Sequence, residues 1–255
     1  MALSDDELER YARHIVLKEV GGPGQARLKA ASVLVIGAGG LGSPLILYLA
    51  AAGVGRIGVV DFDTVALSNL QRQIAHRSQD VGLPKTLSAA HAASAINPHV
   101  EIIRHELRLT AATAPALLRA YDLVADGSDN FETRFMVNDA AFAVRRTLVS
   151  AAVTAFDGQL ATFKPYAGEF PCYRCLFPAP PPAGRAPSCS EAGVLGAVAG
   201  VMGTLQAVEV LKEILNIGQS MAGRLLIYDA LGARLREVKV RKDPHCILCG
   251  SGNEG

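Results

Sequence analysis

Five cysteines supply the first chemistry visible in this chain. Four form two C-x-x-C pairs, Cys172 with Cys175 and Cys246 with Cys249, and Cys189 stands alone. Two such pairs from distant parts of a chain suit one tetrahedral zinc ion held by four thiolates, a structural site; a redox dithiol or unrelated thiols are the other readings. His245, beside Cys246, is expected to support the metal site rather than ligate it, since four sulfurs already close it. A second chemistry is carried by Gly37-Ala38-Gly39-Gly40-Leu41-Gly42. This G-x-G-x-x-G spacing allows a tight turn and a close backbone approach to a phosphate when a strand precedes it and a helix follows. Asp61 falls about where the dinucleotide fingerprint places the acid that holds ribose hydroxyls. The alternative is a glycine-rich turn that only packs strand against helix.

Beyond Asp61 runs a polar stretch from Asp63 to Gln73 without a long apolar period, and Arg72 and Lys85 add positive charge to it. Past the carboxyl end of a strand, such a stretch lies where open α/β sheets bind ligands; a solvated loop is the bland reading. Asp126 and Asp129, in Asp126-Gly127-Ser128-Asp129-Asn130, compete as a magnesium ligand at the mouth of another strand. No Ser-His-Asp set and no H-E-x-x-H is present, and the six histidines are scattered. A reaction without a general base fits this absence. A terminal carboxylate, with a pKa near ~3.5, is already an ionised nucleophile at neutral pH. Its attack on the α-phosphate of ATP requires orientation, magnesium and cations, not proton transfer.

The elements that must position these groups follow from periodicity. Four branched apolar residues, 33–36, read as a buried parallel strand, and Ser43-Pro44 opens a helix that stops at Gly53. Strands are expected at 57–60, 100–103, 123–125 and 147–152, with helices at 85–96, 113–119 and 131–144 between them. Residues 158–163 alternate as an antiparallel strand does, and 225–229 with 234–241 read as a closing hairpin. Residues 193–215 read as a buried helix in which Gly196, Gly200 and Gly203 permit close contact. At the start, 4–18 is expected to be one amphipathic helix, broken by Gly21 to Gly24, with a short helix at 25–30. The fold class is α/β: a Rossmann-like mixed sheet, parallel in its first half and antiparallel in its second, with helices on both faces. One domain, 1–255, is expected, made of a helical segment (1–30), a nucleotide-binding half (31–152) and a mixed-sheet half with the cysteine pairs (153–255).

Half of the residues are hydrophobic and the net charge is +1, from 25 Lys and Arg against 24 Asp and Glu. That composition supports a substantial core and gives no reason to expect nucleic acid or a membrane surface as partner. The acidic start, Ser4-Asp5-Asp6-Glu7, lacks the features of a signal peptide, and the most apolar stretch is shorter than the ~20 residues of a membrane span. A cytoplasmic location is expected.

In order along the chain, the glycine motif, Asp61-Phe62-Asp63, Ser68-Asn69-Leu70-Gln71-Arg72, Lys85, Ser128-Asp129-Asn130, Cys172-Tyr173-Arg174-Cys175, Cys189-Ser190-Glu191-Ala192-Gly193 and the final cysteine pair resemble the MoeB/ThiF/HesA family of adenylyltransferases related to ubiquitin-activating enzymes. The resemblance implies adenylation of the C-terminal Gly-Gly carboxylate of a small β-grasp sulfur-carrier protein, with MgATP as substrate, for a molybdopterin, thiamine or tRNA thiolation pathway. It implies nucleotide contacts from Gly37, Gly39, Gly40 and Gly42, a ribose contact from Asp61, and further contacts from Asp63, Ser68, Leu70, Gln71 and Asn130. Asn69, Arg72 and Lys85 would meet the phosphates, and Asp129 would bind magnesium. Arg13 matches an arginine that reaches into the partner subunit's site, which implies a homodimer. Cys189 is a candidate for attack on the acyl adenylate, to give a thioester or acyl persulfide. The sulfur donor, a cysteine desulfurase or a rhodanese, would be a separate protein. An NAD-dependent oxidoreductase would use the same glycines and Asp61 but leaves Arg72, Lys85, Asp129 and the cysteines without a joint purpose. The remaining alternative is a dimeric zinc scaffold with a vestigial nucleotide pocket.

Overall fold

The computed structural model describes residues 3–181 and 193–250. One eight-stranded sheet organises them, in the order β3-β2-β1-β4-β5-β6-β7-β8. The strands are β1 (Ser32–Ile36), β2 (Arg56–Val60), β3 (Glu101–His105), β4 (Leu123–Asp126), β5 (Thr147–Thr154), β6 (Asp157–Phe163), β7 (Arg224–Asp229) and β8 (Arg234–Lys239). The first five pair in parallel, and β6, β7 and β8 add on antiparallel. The expected change from a parallel to an antiparallel half thus occurs at the tight β5–β6 turn.

Successive side chains of a strand point to opposite faces, so the apolar runs of the parallel strands feed two cores. Val33, Val35, Ile57, Val59 and Val149 face α4 (Gly42–Ala52), α5 (Lys85–Ile96) and the long α9 (Gly196–Leu215). Leu34, Ile36, Val124 and Leu148 face α6 (Ala114–Arg119) and α7 (Phe131–Ala143). Helices therefore cover both faces. No helix of the described residues is long and apolar enough to cross a membrane.

The beginning of the chain departs from expectation. The single helix at 4–18 is two short ones, α1 (Asp5–Arg10) and α2 (Ala12–Ile15), broken at Tyr11. Tyr11 is buried, and its hydroxyl accepts a hydrogen bond from Asn97 Nδ2 at 2.7 Å. Its ring lies against Gly53, where a Cβ would stand 2.4 Å from Tyr11 Cζ. Anchoring that one ring breaks the helix and leaves Leu8 and Val16 exposed rather than on a buried stripe. Nor do Gly21 to Gly24 end a helix; they begin α3 (Gly21–Ala30), with Pro23 in the first turn where its missing N–H costs nothing.

α9 begins at Gly196 rather than Gly193, because residues 193–195 stay extended against the β5–β6 turn: Ala155 N donates to Gly193 O and Leu195 N to Ala155 O. Two of its three glycines are contact points. A Cβ on Gly203 would lie 2.4 Å from Leu41 O, and one on Gly196 would lie 2.1 Å from Gln71 O. Gly200 faces open space. Gly203→Ala is therefore expected to push α9 off α4 and cost about 1–3 kcal/mol in urea unfolding. Gly200→Ala should be neutral or stabilise by about 0.5–1 kcal/mol through helix propensity. Equal effects in the two variants would show that the Leu41 contact is not what sets this spacing.

Candidate functional site

The parallel strand order reverses between β1 and β4, and the crevice at the carboxyl ends of such strands is where open α/β sheets take their ligands. The glycine motif lies at this crevice, between β1 and α4. Gly37 has φ +90°, and its N–H donates to Val60 O at 2.8 Å. Opposite it, Gly127 carries the chain out of β4, so close that a Cβ on Gly37 would meet Gly127 O at 3.3 Å. Gly42 is the tightest point: a Cβ there would stand 1.9 Å from Gly37 O. Gly40 lies beneath Arg72 and Ala199, and Gly39 is next to Gln73.

This loop leaves donors unused. The N–H groups of Gly39, Gly40 and Leu41 find no acceptor among the described residues, and no side chain caps the start of α4. Ser43 Oγ and Gln73 Oε1, both buried, also lack partners. Successive free N–H groups at a helix start form a concavity that attracts anions. A polyphosphate fits this set of groups.

Around the loop stand the charged residues singled out in the sequence. Asp61, at the end of β2, accepts from Ala38 N at 2.8 Å through Oδ2 and from Asp63 N at 2.9 Å through Oδ1. Lys85, the first residue of α5, has its side chain buried and its Nζ 2.8 Å from Asp63 Oδ2. Asp63 is half exposed. The polar stretch folds into a short turn at Leu67–Asn69, where Asn69 Oδ1 accepts from Ala66 N at 3.1 Å. Arg72 reaches back to donate to Ser68 O at 3.1 Å, with its stem over Gly40. Ser68 and Gln71 are exposed and Leu70 is half-buried on this turn.

The two aspartates that compete in the sequence differ sharply here. Asp126 is buried within the end of β4; its Oδ1 accepts from Ser128 N at 2.9 Å, and burial pushes its carboxyl above the usual range. Asp129 is exposed at the mouth. Asn130 caps α7 by accepting from Thr133 N at 2.8 Å. The turn is held from behind by the buried Arg134, which donates to Ser128 O at 2.6 Å. Of the two carboxylates, only Asp129 is open to an ion.

Some predicted residues lie elsewhere. Arg13 is exposed on α2, makes no hydrogen bond or ion pair with the described residues of its chain, and belongs to a helix packed on α1 and α3. Cys189 lies outside the described residues.

The four paired cysteines do meet. Their sulfurs all lie within 4.8 Å of one another, with 3.9 Å from Cys172 to Cys175, 3.6 Å from Cys172 to Cys246 and 3.4 Å from Cys175 to Cys249. Four sulfurs at ~2.3 Å from one zinc would stand ~3.8 Å apart, so the cluster is compatible with that ion. Burial pushes the Cys172 thiol well up and the Cys249 thiol up to about 12, so a cation is needed to make the set thiolates at neutral pH. His245 is exposed, and its backbone N–H donates to Asp243 Oδ1. The backbone N–H of Asp243, instead, approaches Cys175 Sγ at 3.4 Å. That supporting contact is invisible in a sequence, because any residue can supply it.

Sequence reasoning also passed over His76, Gln73 and Arg134. All three are buried and bond or touch backbone next to the loops, so no motif marks them.

The sequence profile of the ThiF family matches residues 11–248. A sulfur carrier protein adenylyltransferase of Thermus thermophilus is 53% identical over 253 residues, which cover 98% of this chain and 93% of the relative. The bovine adenylyltransferase and sulfurtransferase MOCS3 is 52% identical over 250 residues, but the chain spans only 54% of its length. Among solved structures, Escherichia coli MccB with ATP superposes with a TM-score of 0.83 over 97% of this chain and 75% of MccB; at 22% identity this likeness is one of fold. Motifs, sheet order and a match across most of the sequence agree, and the chain belongs to the ThiF family.

Proposed function

We propose that the chain adenylates the C-terminal carboxylate of a small ubiquitin-like sulfur-carrier protein with ATP. The observation that carries this reading is the 53% identity to a sulfur carrier protein adenylyltransferase across nearly the full length of both chains. The crevice supplies what the reaction demands. One carboxylate oxygen of the carrier's terminal Gly-Gly attacks the α-phosphorus of ATP and forms a new P–O bond. The bond from that phosphorus to the oxygen bridging to the β-phosphorus breaks, and pyrophosphate leaves with the electron pair. No proton moves, so the site needs no general base; it needs donors and cations where charge develops.

The free N–H groups of Gly39, Gly40 and Leu41 take phosphate oxygens, and Arg72 and Lys85 stabilise the charge that passes to pyrophosphate. Lys85 reaches the phosphates by releasing Asp63. Asp61 spends one lone pair per oxygen on backbone N–H groups and keeps the others for ribose hydroxyls. Asn69, Ser68, Gln71 and Asn130 would add further polar contacts to the nucleotide. Asp129 would hold magnesium, which when bound neutralises the triphosphate and orients the leaving group. Cys172, Cys175, Cys246 and Cys249 hold zinc as a structural ion. A separate donor, a cysteine desulfurase or a rhodanese, would supply the sulfur. Hydride transfer would leave Arg72, Lys85 and Asp129 idle.

A homodimer completes the reading. Arg13 has no partner among the described residues of its own chain, Val16 and Leu17 beside it are exposed, and Tyr48, Val201 and Val208 are exposed on α4 and α9. A second copy covering these residues would bring Arg13 to the partner subunit's crevice.

Three outcomes follow from these roles. Asp129→Ala is expected to cut carrier-dependent ATP–pyrophosphate exchange by about 100-fold or more with an unchanged unfolding midpoint. Exchange near the wild-type rate would remove Asp129 from the chemistry. Metal analysis should find one zinc per chain, and chelating it should lower the thermal midpoint by several degrees, as expected when a cross-link between residues far apart in sequence is lost. A zinc-free protein of undiminished stability would contradict the cluster's role. Finally, Arg13→Ala and Asp129→Ala, each inactive alone, should regain exchange when subunits are mixed, because one heterodimer site then contains neither defect. No recovery after confirmed subunit exchange would place the whole site in one chain.

A further inference from the structure

His76 is a buried titratable group for which the adenylation chemistry has no use. Its Nε2 lies 2.9 Å from Ala38 O, and since a carbonyl only accepts, Nε2 carries the hydrogen. Its Nδ1 lies 2.8 Å from Ser88 Oγ, whose one hydrogen can go to that nitrogen or to Asp80 Oδ2, 2.7 Å away. Asp80 also accepts from Arg77 N at 3.0 Å, and burial is outweighed by these bonds, which hold its carboxyl below the usual range. Ser88 sits on α5, nearly one turn beyond Lys85. The imidazole thus ties together the glycine loop, the segment that carries Arg72, and the helix that carries Lys85.

We propose that His76 is a positioning residue for the nucleotide: by holding the Ala38 carbonyl it keeps the Gly39 N–H turned toward the phosphates. The inference rests on the reading of this crevice as an ATP site. Ala38 stands between two glycines, whose freedom would let the adjoining peptides rotate. Both of its polar groups are clamped, the N–H by Asp61 Oδ2 at 2.8 Å and the carbonyl by His76. In a planar trans peptide the carbonyl and the following N–H point in opposite directions. With Ala38 O drawn back to a buried ring, the N–H of Gly39 must face away from it, and it is one of the three donors left without an acceptor among the described residues. Asp61 and His76 together fix a peptide that the glycines alone would leave free.

The test measures binding of a non-hydrolysable ATP analogue with magnesium by calorimetry, and ATP–pyrophosphate exchange with a carrier, for wild type, His76→Ala and His76→Gln. The glutamine amide can donate from nearly the position of Nε2; alanine cannot. His76→Ala is expected to weaken analogue binding and raise KM for ATP about tenfold, with kcat within about threefold, because an interaction made equally in ground and transition states is lost. His76→Gln should recover most of the affinity. Unchanged affinity in the alanine variant, or a glutamine variant no better than alanine, overturns the proposal. If His76→Ala does not fold, His76→Gln decides alone: affinity within about threefold of wild type upholds the clamp, and a loss of about tenfold or more overturns it. Wild-type protein that binds no analogue would instead sink the ATP reading itself.

Discussion

Close contact of backbone with backbone at the carboxyl ends of β1 and β4 is the constraint on which the rest depends. A Cβ at Gly42 would collide with Gly37 O, and Gly37 itself faces Gly127 across the switch in strand order. With no side chains between them, the first turn of α4 can drop against the sheet and leave several N–H groups pointing at one place. α9 depends on the same economy, since Gly203 allows it to lie on Leu41 and Gly196 allows its start to touch the turn that carries Arg72. Charge is then brought to a site whose concave shape is set by backbone. Arg72 comes from the connection between β2 and α5, Lys85 from the first residue of α5 and Asp129 from the connection between β4 and α7, each held by polar contacts rather than by apolar packing.

Those contacts also balance the charges brought to the crevice. A buried lysine facing nothing would be costly, and Asp63 stands in as its counter-ion at 2.8 Å. Because Asp63 is half exposed, water can solvate its side of the pair. Asp126 takes the opposite course. Enclosed at the end of β4 with its carboxyl pushed toward the neutral form, it shapes the turn that presents Asp129 instead of serving as a charge.

How much of this was legible in the sequence follows from where the partners lie. The strand, glycine loop, helix and acid sit at fixed short spacings, so the crevice and its charged residues could be read directly, as could a four-cysteine cluster from two C-x-x-C pairs. The parallel-to-antiparallel change was equally plain, because buried runs give way to alternation after residue 152. His76 was not legible, because its partner is a backbone carbonyl 38 residues away. Tyr11 broke an expected helix for a similar reason: Asn97 and Gly53, remote in sequence, determine where its ring goes. Gly200 looked like its neighbours in a glycine-rich helix yet faces open space, since a helical period does not reveal which face meets another element. Where a residue's role is set by the local period or spacing, the sequence carries it; where it is set by a distant main-chain atom, only the fold does.

The cysteine cluster raises the same question of distance. α8 (Tyr173–Leu176) lies within the first C-x-x-C pair, and it is fastened to α7: Tyr173 N donates to Asn138 Oδ1 at 2.8 Å, and Arg174 grips Asp139 with two hydrogen bonds. The Tyr173 ring packs edge-on against Phe135 and Phe163. α7 is the helix that starts at the Asp129-Asn130 mouth, and its Arg134 holds the Ser128 carbonyl just before Asp129. Asn138 and Asp139 lie just past the middle of this helix of 13 residues, so α7 connects the cysteine cluster to the turn held by Arg134. Hydrogen bonds and close-packed rings transmit position with little give. The four sulfurs thus tie the last residues of the described chain to its middle and, through α7, to the turn that precedes Asp129.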